Sequence, residues 1–164
     1  DPRLAILALK NLAERMGTLK PELKPKLKKN LESTTESYSA THKECEKLLK
    51  NLRSRTAVSS HDAFGYFENA YNITILAPHG WSTDTEPQPQ NVTKIKTWLE
   101  TKKAGALFLE NGVDSPLVQK LSKESGVKIG GNLYADTLTA AEGQAPTYRK
   151  MLGWNCKAVS EALR

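Results

Sequence analysis

The spacing of apolar positions changes near residue 55, and this change predicts two kinds of structure along the chain. Before it, apolar residues recur every seven positions, a spacing typical of one face of a long α-helix. These residues are Leu31, Tyr38, Cys45 and Leu52. After it, short apolar runs of strand length alternate with runs of helical spacing. We therefore predict a helical segment over residues 1–55 and a separate lobe over residues 56–164.

The helical segment is predicted to contain two helices. The Asp1-Pro2 pair is typical of a helix start, with aspartate as the N-cap and proline at the first helical position. We expect this first helix to end at Gly17. A second helix is predicted from about Pro25 to about Arg53. At a rise of about 1.5 Å per residue it would be roughly 40 Å long, which is longer than a compact domain of this size requires.

The second segment has the pattern of an α/β lobe. Strands are predicted at 56–60, 73–77, 106–110 and 127–131. Each is followed by a predicted helix, at 62–71, 91–104, 115–125 and 146–163. A polar loop is predicted over 78–90. Short apolar strands that alternate with helices predict a four-stranded parallel sheet flanked by helices, with right-handed crossovers. Ligands of such sheets bind at the carboxyl ends of the strands.

Composition narrows the possible classes of function. The chain has 164 residues, 38% of them hydrophobic, and no run approaches the roughly 18 apolar residues of a membrane span. The net charge is +6, but the lysines of the first third are mixed with glutamates, as on a solvated helix face. Because the N-terminus lacks the layout of a signal peptide, either the protein is cytosolic or a leader has been removed.

The two cysteines, Cys45 and Cys156, do not form a C-x-x-C spacing. Neither a metal knuckle nor a redox motif is therefore predicted. Two buried free thiols and a disulfide are both compatible with the sequence, because sequence alone does not bring their Cα atoms into bonding range.

A histidine, His61, follows the carboxyl end of the first predicted strand. It could form a hydrogen bond with a neighbouring loop, bind a metal ion, or act as a general base. The third interpretation is the weakest, because the adjacent Ser60 and Asp62 point in different directions from a histidine next to them in the chain. The chain also lacks the nucleophile-elbow, P-loop and dinucleotide-binding motifs.

An aspartate, Asp136, lies on the carboxyl side of the last predicted strand, at the same edge of the sheet as His61. Zn²⁺ and Mn²⁺ both accept nitrogen and oxygen ligands of this kind, but a closed site needs about four ligands. Alternatively, Asp136 caps the turn that contains Thr137 and Thr139. His42 and His79 are expected to be exposed to solvent.

Four stretches of the sequence, taken in order, resemble a known family. They are SSHDAFGYF, GWSTDTEPQPQNV, ALFLENGVDSPLVQKLSKESGVKIGG and LYADTL…PTYRKMLGWN. They are similar to the carboxy-terminal lobe of the metal-specific periplasmic solute-binding proteins of zinc and manganese ABC importers, also called the lipoprotein receptor antigen family. The stretch DPRLAILALKNLAERM resembles the start of the long helix that joins the two lobes of that family.

The resemblance implies a two-lobed protein with a metal ion in the cleft between the lobes. It implies that His61 and Asp136 are ligands and that two further histidines belong to an amino-terminal lobe missing here, so that this chain would hold half of the site. Glu110, which ends the strand at 106–110, and Ser60 are expected to orient these ligands. The imidazole favours Zn²⁺, whereas the Asp136 stretch resembles manganese-type or mixed members, so the metal is left open between Zn²⁺ and Mn²⁺.

The resemblance also implies a function without covalent chemistry. The protein would be periplasmic or on the cell surface, exported by a leader absent from this chain, and would deliver Zn²⁺ or Mn²⁺ to the permease of an ABC importer. Neither nucleic acid nor a small organic substrate is expected as a partner. The alternative is a non-enzymatic interaction or adhesin module, in which the seven-residue repeat forms a helical dimerisation arm.

Overall fold

A computed structural model describes residues 1–80, 86–101, 103–112 and 115–164 of the chain. They form two compact units, residues 1–47 and residues 48–164. The assignment of residues 56–164 as a domain of its own stays a prediction. No helix in the described parts of the chain is both long enough and apolar enough to cross a membrane.

The first unit consists of helices, as predicted. Helix α1 spans Pro2–Leu19, a short 3₁₀ helix spans Pro21–Leu23, and α2 begins at Lys24. Asp1 is the N-cap of α1, since its side chain accepts a hydrogen bond from the Arg3 amide at 2.9 Å.

The prediction that α1 ends at Gly17 is wrong, because the helix continues to Leu19. A β-carbon at Gly17 would lie 3.1 Å from Cγ of Lys24. The glycine therefore permits a close approach between two segments rather than a change of backbone direction.

Helix α2 spans Lys24–Leu48 and ends five residues before the predicted end at Arg53. The carbonyl groups at the end of α2 and just after it accept hydrogen bonds from side chains that follow the helix. The hydroxyl of Ser160 donates to the Leu48 carbonyl at 2.9 Å, and the Arg55 guanidinium donates to the carbonyls of Leu49 and Lys50 at 3.2 and 2.8 Å. These donors satisfy carbonyl groups for which a continuing helix would have supplied its own amides. Leu49 stays buried although the helix has ended.

The second unit is an α/β layer structure. Its elements in chain order are β1 Thr56–Val58, α3 Gly65–Tyr71, β2 Thr74–Leu76, α4 Pro89–Glu100, β3 Ala106–Glu110, α5 Pro116–Ser125, β4 Ile129–Leu133 and α6 Tyr148–Leu163. The strands pair in the order β2-β1-β3-β4, and every pair is parallel. The predicted four-stranded parallel sheet flanked by helices is confirmed.

Several boundaries differ from the prediction. Strand β4 is displaced two residues toward the C-terminus, and α3 begins three residues later than predicted, since residues 62–64 are not helical. In this segment the amide of Asp62 donates to the Gly80 carbonyl at 3.1 Å. Helix α4 begins at Pro89, a residue suited to the first helical position. Residues 81–85 of the predicted polar loop lie outside the described residues.

The centre of the sheet is buried on both sides. Val58 of β1 and Leu107 of β3 are fully buried and pack with residues of α4 and α5, namely Ile95, Leu99, Val118 and Leu121. A second cluster contains Tyr134, Ala145, Met151 and Leu152. Because the strands are parallel, the residues that follow β1, β3 and β4 meet at one edge of the sheet.

Both cysteines, Cys45 and Cys156, are disulfide-bonded. The structure therefore selects the disulfide from the two possibilities that the sequence left open. Disulfides of this kind persist in oxidising compartments outside the cytosol.

Candidate metal site

The site begins with the segment that follows β1. The Ser59 amide continues the pairing with β2 by donating to the Leu76 carbonyl at 2.9 Å, and the Ser59 hydroxyl donates to the His61 carbonyl at 2.9 Å. These bonds hold His61 at the carboxyl edge of the sheet with only 5% of the residue exposed.

Glu110, the last residue of β3, holds the same segment from the neighbouring strand. Its Oε1 accepts hydrogen bonds from the backbone amides of Ser60 at 3.0 Å and His61 at 2.9 Å. Its Oε2 lies 2.5 Å from Nδ1 of His61. Neither of these two atoms has a hydrogen-bond partner of acceptable geometry in the described residues. Their contact is therefore defined by distance and charge rather than by a well-aligned hydrogen bond.

Burial raises the pKa of the Glu110 carboxyl above its usual value. The amide of His61, the charge of its imidazole and the amide of Ser60 act in the opposite direction, and the nearby Asp136 carboxylate raises the pKa further. The two amides that point at Oε1 stabilise the ionised carboxylate within this buried setting.

The loop that follows β4 brings Asp136 to His61. Oδ2 of Asp136 lies 3.6 Å from Nε2 of His61, and the Asp136 side chain is 82% exposed. The imidazole thus lies between a buried carboxylate at Nδ1 and an exposed one at Nε2. Since Glu110 occupies the Nδ1 side, Nε2 is the nitrogen that faces the open edge of the sheet.

The distance between Nε2 and Oδ2 suits two ligands of one cation. Two donor atoms that bind one Zn²⁺ at about 2.1 Å and at the tetrahedral angle lie about 3.4 Å apart, and these two lie 3.6 Å apart. The described residues contain no group of three or more histidine, cysteine, aspartate or glutamate side chains that could hold a metal ion. The geometry therefore supplies two donors here.

Ser60 contacts Glu110 through its backbone rather than through its hydroxyl. The hydroxyl lies 2.5 Å from the hydroxyl of Ser115, the N-cap residue of α5. This contact ties the segment after β1 to the start of α5.

The other two histidines lie elsewhere. His79 follows β2 and is half-buried, so it is less exposed to solvent than expected. The side chain of His42 on α2 is only 13% exposed and lies 3.6 Å from Glu46, which corrects the expectation of a solvated residue. Burial lowers the pKa of His42, although the Glu46 carboxylate raises it.

Two polar residues that sequence reasoning missed, Asn155 and Asn111, hold the loop containing Asp136. Asn155 on α6 is 3% exposed, and its side chain pairs with both backbone groups of Tyr134, at 3.0 and 2.8 Å. Asn111 and Thr137 are joined by two hydrogen bonds. The one signal in the sequence was Asn155 itself, a polar residue on the apolar face of a helix.

The model of the family described as zinc-uptake complex component A, periplasmic, matches residues 1–162. The chain belongs to this family. Other relatives are named as substrate-binding lipoproteins of metal ABC transporters, so this is a family of non-enzymatic, metal-binding solute-binding proteins of ABC importers.

Individual members show how much of the chain is shared. The manganese-binding lipoprotein MntA of Bacillus subtilis is 32% identical over 117 residues, which are 68% of this chain and 38% of MntA. The periplasmic zinc-binding protein TroA of Treponema pallidum has the same fold, with a TM-score of 0.90 at 24% identity over 99% of this chain and 61% of TroA. The laminin-binding protein Lbp of Streptococcus pyogenes gives a TM-score of 0.85 at 26% identity, over 100% of this chain and 63% of Lbp. The chain thus spans less than two thirds of each of these three proteins.

Proposed function

We propose that this chain binds Zn²⁺ or Mn²⁺ as cargo through His61 and Asp136 and forms part of a protein that delivers the ion to an ABC importer. The observation that carries the proposal is the 3.6 Å separation of Nε2 of His61 and Oδ2 of Asp136. An imidazole and a carboxylate together suit either metal, and relatives are named for manganese and for zinc.

In this proposal Glu110 orients the imidazole. Its carboxylate contacts Nδ1 and both backbone amides of the segment that carries the ring. A histidine ligand commonly has a carboxylate on its second nitrogen, because this fixes the tautomer and makes the ligating nitrogen more basic. Ser60 supports the same segment through its amide.

The remaining ligands are assigned to the part of the longer relatives that this chain does not span. Two donors are fewer than the four of a closed site, and the described residues contain no larger group. The chain alone would then hold half of the site and bind weakly. The permease of the importer is the proposed partner, and neither nucleic acid nor a small organic molecule is a proposed ligand. The disulfide supports a periplasmic or cell-surface location.

A competitive titration with Zn²⁺ and Mn²⁺ tests this function. The wild-type chain is expected to bind with a Kd well above micromolar, and His61→Ala is expected to weaken binding by at least about tenfold, since even the partners of metal ligands contribute that much. His42→Ala removes a histidine of α2 that is not a candidate ligand and serves as the matched control. Equal affinity in wild type and His61→Ala would show that His61 is not a ligand.

Tight binding by the monomeric wild type would contradict the half-site instead. It would mean that this chain supplies further ligands. His79→Ala would then be the next variant to titrate, because His79 follows the adjacent strand β2.

A second candidate function is adhesion, favoured by the name of the laminin-binding relative. An adhesin module with a helical dimerisation arm predicts a stable dimer whose melting temperature does not respond to metal. Sedimentation velocity and thermal melting, each with and without Zn²⁺, distinguish this function from metal delivery.

A further inference from the structure

The exposed side chain of Asp136 lies in a loop that is anchored on both sides. A carboxylate that is 82% exposed has no packing of its own to hold it near His61. A binding site nevertheless gains affinity when its ligands are already in place, because less freedom is lost on binding. The anchors of the loop therefore bear on the affinity of the site.

The anchor before Asp136 comes from α6. The side chain of Asn155 accepts a hydrogen bond from the Tyr134 amide at 3.0 Å and donates one to the Tyr134 carbonyl at 2.8 Å. The indole of Trp154 donates to the Asn132 carbonyl at 2.9 Å. These bonds fix the end of β4, two residues before Asp136.

The anchor after Asp136 comes from the end of β3. The side-chain amide of Asn111 donates to the Thr137 hydroxyl at 3.1 Å, and that hydroxyl lies 3.3 Å from the Asn111 carbonyl, to which it donates. The backbone amide of Asn111 donates to the Leu133 carbonyl at 3.0 Å. We call the reciprocal pair of Asn111 and Thr137 the clasp.

The clasp joins the residues next to Glu110 and Asp136. Asn111 directly follows Glu110, whose carboxylate holds the backbone amide of His61, and Thr137 directly follows Asp136. A continuous path of hydrogen bonds and peptide bonds therefore runs from His61 through Glu110 and the clasp to Asp136.

We propose that the clasp of Asn111 and Thr137 is a positioning device that holds Asp136 at its distance from His61 before a metal ion arrives. The inference rests on the proposed function for its effect on affinity. Both residues are positioning residues and touch no metal themselves. Because the clasp is exposed and water can replace its hydrogen bonds, its loss should loosen the loop without unfolding the protein.

The test uses Thr137→Val, which keeps the shape of the side chain but removes the hydroxyl, and Thr137→Ser, which keeps the hydroxyl. The first measurement is the backbone order parameter of residues 135–138 by ¹⁵N relaxation in the metal-free chain. Thr137→Val is expected to lower these order parameters and Thr137→Ser to retain them. A urea unfolding midpoint that is the same for both variants confirms that the rest of the fold is intact.

The second measurement is the affinity for Zn²⁺ and Mn²⁺. Thr137→Val is expected to weaken binding about tenfold, as the loss of partners that orient a ligand does, and Thr137→Ser to bind like the wild type. In an Asp136→Ala background, Thr137→Val should cause no further loss, because the clasp acts only through Asp136.

Each result has a separate meaning. Unchanged order parameters and affinity in Thr137→Val overturn the clasp, and so does an equal loss in Thr137→Val and Thr137→Ser. If Asp136→Ala binds metal as well as the wild type does, the proposed function fails, whereas the order parameters still decide whether the clasp holds the loop.

Discussion

Replacement of Asn155 by alanine tests whether one buried amide on α6 holds the segment that leads to Asp136. The side chain of Asn155 pairs with both backbone groups of Tyr134, and these two residues are 3% and 7% exposed. The substitution removes both hydrogen bonds and leaves the amide and the carbonyl of Tyr134 buried without this partner.

The expected cost follows from those two backbone groups. A buried polar group that loses its partner costs about 1–3 kcal/mol. Two such groups, with partial relaxation of the loop, predict that Asn155→Ala lowers the free energy of unfolding by about 3 kcal/mol. Asn155→Asp keeps an acceptor for the Tyr134 amide but places a second oxygen against the Tyr134 carbonyl, so a loss of about 2 kcal/mol or more is expected.

Equilibrium unfolding in urea measures this effect. Tryptophan fluorescence is a suitable probe because Trp154 packs edge-on against Tyr134 with ring centroids 6.3 Å apart. Asn69→Ala, at an exposed position of α3, is the control and should change stability by less than about 0.5 kcal/mol. If Asn155→Ala were as mild as this control, water would have replaced the side chain and the reasoning would be refuted.

Three further substitutions test the packing and the electrostatics of the lobe. Burial raises the pKa of Glu68 above its usual value of 4.5, although the carboxylate accepts a hydrogen bond from the Ile75 amide at 2.6 Å. Stability is therefore lost as the pH rises from the pKa of Glu68 in the unfolded chain through its pKa in the folded chain. Glu68→Gln keeps an acceptor for the Ile75 amide. It should melt at a higher temperature than the wild type at pH 7 and at the same temperature at pH 3. Gly130→Ala would place a β-carbon 2.5 Å from Cβ of Ala162, which predicts a loss of about 1–3 kcal/mol in urea unfolding. Gly153→Ala, whose β-carbon meets nothing within 4 Å, should instead gain about 0.5–1 kcal/mol, and a loss in both variants would contradict the steric explanation.

The sheet could be predicted from the sequence because its central strands are buried on both faces. Strand β3 is apolar up to its last residue, Glu110, and was predicted with its observed bounds. Strand β4 was displaced by two residues because it is an edge strand with two glycines and one buried position, Leu133, so it has little hydrophobic pattern. Gly131 also has a φ of 116°, a conformation that a pattern of side chains does not reveal.

The contacts within the candidate site were harder to predict than its residues. The sequence placed three residues after the carboxyl ends of strands or at such an end: His61, Glu110 and Asp136. In a parallel sheet all of these ends lie at the same edge. The sequence did not indicate that Glu110 accepts hydrogen bonds from two backbone amides. Backbone amides are the same in almost every residue, so no residue type marks such a contact. Contacts such as these depend on the register of neighbouring strands, which only the folded structure defines.

The two candidate ligands follow strands that are neither consecutive in the sequence nor neighbours in the sheet. Strand β3 lies between β1 and β4, so His61 and Asp136 reach toward each other above the end of a strand that carries neither of them. Both ligand residues lie beyond the paired residues of the strands. A single substitution could therefore replace a ligand and leave every strand pairing in place. On the proposed function, this fold would let the preferred cation change in few mutational steps, in keeping with relatives named for manganese and for iron.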